Sequence, residues 1–199
     1  PKDYHDEVIE IAASSPKMMS WMHVPLQAGN NDVLKSMRRP YTRDRYLEII
    51  GKIRRAIPHV ALATDIVVGF PGETAEQFED TLDIVRRARI DMAFIGRFSP
   101  REGTEAYSLE DDVTASEKER RENEINKILI ENNYTYMSQF LDKEVRVLVD
   151  RKQGSDEYFG KTDGLKNIKF NAGAERDLLG KFVRVRVKKI NNWSMLGEF

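Results

Sequence analysis

No cysteine occurs anywhere in the chain. That excludes disulfides and any thiolate-held metal or iron–sulfur cluster within it. Histidine is nearly as scarce: His5, His23 and His59 are far apart and show no metal-ligand spacing. Structural or solvated roles are the expectation for all three. No Ser–His–Asp set or paired-carboxylate arrangement stands out. No apolar run approaches the roughly 20 residues of a membrane helix, so no transmembrane segment is expected. The opening stretch PKDYHDEVIEIAASS lacks the apolar core of a signal peptide. The expected location is therefore the cytoplasm. A start at Pro1 without Met suggests an excised or truncated chain.

What is present suits a folded protein. At 199 residues, 40% hydrophobic and 33% charged, the chain can bury a core in one or two domains. The net charge of −1 conceals an asymmetry: residues 141–199 carry 13 Lys+Arg against 9 Asp+Glu, and residues 1–140 carry 19 against 24. The basic tail hints at a polyanionic partner, although the excess is within ordinary scatter.

Hydrophobic spacing orders the elements. A helix is expected over 3–14, then an apolar strand MMSWMHVPL (18–26) and a short helix NNDVLKSMRR (30–39). A helix opening at Thr42 sets Tyr46, Ile49, Ile50, Ile53 and Ile57 on one face and ends at Pro58. VALATDIVVGF (60–70) reads as a strand covered on both faces. Thr74-Ala75-Glu76-Gln77 is a capping box opening the next helix, and DMAFIGRF (91–98) is a third strand. Strands alternating with helices predict parallel pairing with right-handed crossovers. Three strands are few for a closed sheet, which predicts part of a barrel or of a doubly wound sheet. A second capping box at Thr114 starts a long helix to about Phe140, whose first half, SEKERRENE, reads as polar nearly all round. Beyond it the period changes to two. Val145, Val147 and Val149 share one face, and Val183, Val185 and Val187 another, with Arg184, Arg186 and Lys188 opposite. A small β-barrel is predicted over 141–199, after an α/β part over 1–140.

Chemistry is expected where the parallel strands end. DIVVGFPGE places Asp65 in an apolar strand, where a carboxylate needs a partner. It then makes a tight turn through Gly69 and Gly72 into a helix N-terminus, a geometry that also serves as a plain βα loop. HVPLQAGNND brings Gln27, Gly29 and Asn30 to the end of the first strand, with Arg39 nearby as a carboxylate partner. RFSPREGTEA sets Arg97, Ser99 and Arg101 past the third strand. Taken alone, the glycine turn reads equally well as a plain βα loop, and the other two loops read better as ordinary surface. On the barrel, Arg184, Arg186, Lys188 and Lys189, with Lys166, Lys169, Phe170 and Trp193, form a candidate RNA-binding face of phosphate contacts and stacking. The same residues would also keep an exposed strand face soluble.

Together, HVPLQAGNNDVLKSMRRPYT, TDIVVGFPGETAEQFEDT and DMAFIGRFSPREGTEA resemble, in order and spacing, the second half of the radical S-adenosylmethionine methylthiotransferases. The tail resembles a TRAM domain. The likeness spans nearly the whole chain and lies closest to the tRNA branch acting on an isopentenylated adenosine beside the anticodon. Asn30 stands where that branch carries Ser. The resemblance implies an α/β fold, the C-terminal half of a radical-SAM partial TIM-type barrel, followed by a small all-β TRAM barrel. It implies S-adenosylmethionine as cofactor: Ile66, Val67, Gly69 and Phe70 by its adenine, Gln27, Gly29 and Asn30 by its ribose and amino-acid part, and Arg39 by its carboxylate, with Asp65 also among the cofactor-binding residues. It implies [4Fe-4S] clusters whose ligands this chain does not contain, so the chain alone is expected to be inactive. The implied partners are tRNA, through its anticodon stem-loop, and the missing N-terminal half of the enzyme. Two other readings stand beside this one: a non-catalytic RNA-binding protein, and a ribosomal-protein methylthiotransferase.

Overall fold

The computed structural model describes residues 1, 4–173 and 176–199. The expected first helix begins at Asp3, which lies outside the described residues; the helix observed is α1 (Asp6–Ser14). Three parallel strands follow, β1 (Trp21–His23), β2 (Ala61–Val68) and β3 (Met92–Arg97), in the order β1-β2-β3. The first is shorter than its apolar run suggests. The run continues beyond the pairing and feeds the core through Val24 and Leu26, both fully buried.

Between the strands lie α2 (Asn31–Ser36), α3 (Arg43–Ala56) and α4 (Ala75–Arg87). Each opens on a residue whose side-chain oxygen accepts backbone N–H groups that have no partner within the helix: Asn30, Thr42 and Thr74. At Thr74 the capping box is complete, with Gln77 Oε1 accepting from the Thr74 N–H at 3.0 Å. One face of the sheet, through Met22, Val24, Leu62, Ile66 and Val68, packs on Tyr46, Ile49, Ile53, Phe78, Leu82, Val85 and Leu129. Pairing register puts Trp21, His23, Ala63, Asp65 and Phe94 on the other face. This face is thinly covered: Phe94 is 54% exposed.

The long helix α5 (Ala115–Ser138) departs from the expected polar exterior. Lys118 and Arg121, within its charged first half, are buried at 5% and 3% exposure. Arg121 Nη1 lies 2.7 Å from Glu73 Oε2 and Lys118 Nζ 2.6 Å from Asp111 Oδ1. Pairing offsets desolvation at both positions.

Beyond α5, β4 (Glu144–Gln153), β5 (Glu157–Thr162), β6 (Asn167–Asn171), β7 (Phe182–Ile190) and β8 (Ser194–Glu198) close into a barrel in the order β4-β5-β6-β8-β7. The alternating valines Val145, Val147, Val149, Val185 and Val187 fill its interior with Tyr158, Ile168, Phe170 and Met195. The barrel meets the N-terminal end of the parallel sheet. Lys166 Nζ donates to Asp91, just before β3; Asp91 Oδ2 accepts the Leu62 N–H at 2.7 Å. Tyr136 donates its hydroxyl to the His59 carbonyl at 2.9 Å, and Asn133 its amide to the Asn192 carbonyl at 2.6 Å.

Candidate functional site

A cavity of about 620 Å³ opens at the C-terminal ends of the parallel strands. It collects residues from all three loops singled out in the sequence: Gln27 and Arg39 from the first, Val67 and Phe70 from the second, Arg97, Ser99 and Arg101 from the third. Phe70 and Phe98 meet edge to face at 5.2 Å and form its apolar wall. Gln27 is held in the left-handed region, φ 67°. Its N–H donates to the Asp65 carbonyl at 2.8 Å, and its carbonyl accepts from Val67 at 2.9 Å. Those two bonds offset the strain of a non-glycine residue at positive φ and lock Gln27 at the cavity. An ion pair between Arg38 and Glu105 spans two further lining residues.

The remaining cofactor candidates lie elsewhere. Gly29 abuts α4: an added Cβ would lie 2.4 Å from Thr81 Cα, and its N–H donates to Thr81 Oγ1 at 2.8 Å. Asn30 is used by the fold, capping α2 with its oxygen and donating its amide to Asp80 at 2.7 Å. Ile66 is buried in the core. At Gly69, φ 69°, the close approach is made by the protein itself: an added Cβ would lie 2.5 Å from Lys118 Cγ. Its N–H donates to Glu73 Oε2 at 2.8 Å.

Asp65 finds its partner in His23, whose Nε2 lies 3.0 Å from Oδ2. The imidazole stacks on Phe94 at 5.7 Å. Sequence reasoning missed this pair because 42 residues separate its members. The signal was a polar residue in each of two apolar strands. Tyr41 was missed as well. It donates to the Leu26 carbonyl at 3.1 Å, and burial, reinforced by the charge of Asp65 and opposed by Arg39, pushes its phenol up to about 12. Arg97 lines the cavity, yet its guanidinium is engaged by Glu122 at 2.6 Å.

The expected RNA face divides. Lys166 is corrected: it is buried at the junction on Asp91 and faces the Tyr136 ring at 5.1 Å, so it offers no surface charge. Phe170 is corrected too, stacked on Tyr158 at 5.9 Å in the barrel core. Lys169 pairs with Glu157 at 2.6 Å, Arg186 with Glu144 at 3.4 Å and Lys188 with Glu198 at 3.4 Å. Arg184, Lys189 and Trp193 are exposed. Among the described residues no group of three His, Asp or Glu side chains is arranged to hold a metal, and no helix is long and apolar enough to cross a membrane.

Residues 1–85 match the radical SAM superfamily and residues 140–199 the TRAM domain. The architecture resembles coproporphyrinogen III oxidase of Escherichia coli, a radical SAM enzyme, with a TM-score of 0.56 over 82% of this chain and 45% of that one. At 14% identity this is a likeness of fold. The two matches define a radical SAM region followed by a TRAM barrel. Along its full length the chain is 38% identical to the tRNA-2-methylthio-N(6)-dimethylallyladenosine synthase of Bacillus subtilis, covering 39% of that protein. It is 40% identical to the synthase of Geobacillus kaustophilus over all of this chain and 37% of that one. For the Clostridium botulinum synthase the values are 39% identity, again over all of this chain, and 44% of the relative. The chain belongs to the radical SAM methylthiotransferase family and spans about two fifths of the length of these relatives.

Proposed function

We propose that this chain is the cofactor- and tRNA-facing portion of an enzyme that adds a methylthio group to an isopentenylated adenosine beside the anticodon. Residues 1–140 would be the C-terminal half of a partial TIM-type barrel and residues 141–199 its RNA-gripping appendage. The observation carrying this reading is the single cavity that unites Gln27, Arg39, Phe70, Ser99 and Arg101 at the strand ends. Its volume lies in the range of small-molecule sites, and its combination of apolar wall and few polar groups suits a nucleoside joined to an amino acid.

In this reading Val67 and Phe70 hold the adenine of S-adenosylmethionine by apolar contact, and Gln27 bonds its ribose and amino-acid part. Arg39, whose side chain makes no ion pair among the described residues, meets the carboxylate bidentately. Ser99 and Arg101 close the cavity on the substrate side. The cofactor, with [4Fe-4S] clusters bound outside this chain, supplies the hydrogen abstraction and the methyl group. The residues here bind, orient and exclude water. With no cysteine to hold a cluster, the chain alone is inactive.

The test is cofactor affinity in the intact enzyme. Phe70→Ala and Arg39→Ala should each weaken S-adenosylmethionine binding by about tenfold or more, on the scale of ~1.4 kcal/mol per decade, measured by calorimetry with the clusters intact. Unchanged affinity in both variants would remove the assignment. Selective retention of a ribosomal protein in place of tRNA would redirect the substrate.

A further inference from the structure

A second cavity, of about 500 Å³, lies at the other end of the sheet, where the barrel meets it. Ser20, Pro58 and His59, which precede β1 and β2, form one wall; Tyr136 in the last turn of α5 and Phe140 just past that helix contribute aromatic surface; Lys143, Arg146 and Arg184 supply charge from the barrel side. Register places Arg146 directly opposite Arg184 across the β4–β7 ladder. Like charges so placed repel unless something neutralises them. Arg146 is neutralised by Asp163, with Nη2 2.8 Å from Oδ1. The other acidic residue lining the cleft, Glu144, is shared with Arg186. Arg184 and Lys143 have no ion-pair partner among the described residues, yet both line the same cleft. The imidazole of His59 meets the Phe140 ring at 6.1 Å, and the Tyr136 ring meets it at 5.5 Å.

We propose that this junction cleft binds a nucleotide of the RNA, with Arg184 and Lys143 on its phosphate and the Phe140–His59 surface against its base. This rests on the tRNA reading above and locates the grip within it. The outer cations of β7 beyond the cleft are less suited: Arg186 and Lys188 are already paired with acids. Two uncommitted cations beside an aromatic surface are the elements by which proteins hold single-stranded nucleic acid. The location has a geometric consequence. The cleft and the 620 Å³ cavity lie at opposite ends of the eight-residue β2, roughly 25 Å apart at ~3.3 Å per residue. The buried Lys166–Asp91 pair fixes that spacing. A ligand engaging both must be extended, as an RNA stem-loop is and a free nucleotide is not.

The experiment is anisotropy titration of a labelled tRNA anticodon stem-loop with the 199-residue chain across a salt series. Arg184→Glu and Lys143→Glu should each weaken binding several-fold and lower the salt slope by about 1. Lys127→Glu, on the exposed side of α5, should bind as the wild type does. Circular dichroism confirms folding, and Arg184→Gln gives a milder test of the same contact. Crosslinking of 4-thiouridine-substituted RNA should label peptides containing Phe140 or Arg184. The proposal is overturned if the cleft variants bind normally, or if loss follows only Lys188→Glu with Lys189→Glu. If the wild-type chain binds no RNA at any salt, the tRNA reading itself falls and the cleft assignment with it.

Discussion

Glu73 shows how the tight turn after β2 is built. Its carboxylate accepts from the Gly69 N–H at 2.8 Å and pairs with Arg121, whose guanidinium also meets the Glu73 carbonyl at 3.2 Å. Burial pushes the Glu73 carboxyl up, and the Gly69 N–H and Arg121 oppose that shift. Removing one partner leaves the other charge buried and unpaired. Arg121→Ala is therefore expected to cost about 3–5 kcal/mol in chemical denaturation. The double variant Glu73→Gln with Arg121→Met should recover a large part of that loss. Equal losses in single and double variants would mean that packing, not the stranded charge, sets the cost. Gly29 poses the steric counterpart. Its contact is with the backbone of Thr81 and Asp80, which cannot rotate away, so Gly29→Ala should destabilise by ~2 kcal/mol or more. A neutral effect would show that α4 yields at this point. These constraints illustrate what a linear reading can see. The glycines were visible and invited a ligand; the groups that press on them, Lys118 and Thr81, lie 49 and 52 positions away, and no local pattern announces them.

Helix α5 carries the largest gap between pattern and structure. Its N-terminal half looked like a solvated surface because charges occur at nearly every position. Opposite charges spaced three and four apart bind one another on the helix instead. Glu117 accepts from Arg120 Nη2 at 2.7 Å and from Arg121 Nε at 2.8 Å, and those hydrogen bonds hold its carboxyl down to about 2. The folded value is depressed below the ordinary ~4.3, so this contribution is present above that value and is lost as pH falls towards 2. The difference in Tm between wild type and Glu117→Gln should be constant above about pH 5 and narrow below pH 4. A difference that widens on acidification would reverse the assignment. The other elements were legible for a simple reason. Capping residues and apolar periods are local, and they place α3, α4, β2, β4 and β7 to within a few residues. What decides that Lys118 and Arg121 point inward is the position of Glu73 and Asp111, which only the fold supplies.

The two parts of the molecule are joined through charge as much as through apolar packing. Lys166 and Asp91 are both buried, at 7% and 1% exposure; Lys166 lies in the β5–β6 connection of the barrel and Asp91 just before β3 of the parallel sheet. Lys166→Met should leave Asp91 without its cation and loosen the junction. Calorimetry is then expected to show the barrel and the parallel sheet melting separately, where the wild type melts once. A single sharp transition in the variant would assign the coupling to the Tyr136 and Asn133 contacts. The cation itself was visible in the sequence, but its surface role was misassigned because a lysine in a short connection between strands looks the same whether it meets solvent or a distant aspartate.

The parallel sheet presents a different problem. Three strands leave β1 and β3 as edges, and one face bears Phe94, 54% exposed, beside the half-buried Trp21 and His23. An open edge next to an exposed aromatic favours association. The isolated chain should therefore self-associate with rising concentration in sedimentation velocity. Phe94→Lys, at a position already half in solvent, should shift the distribution to monomer while leaving Tm nearly unchanged, because the ring contributes more to the exposed patch than to the core. If Phe94→Lys instead lowers Tm by several degrees and the association persists, the stack on His23 supports the fold, and the contact between copies lies elsewhere on the surface.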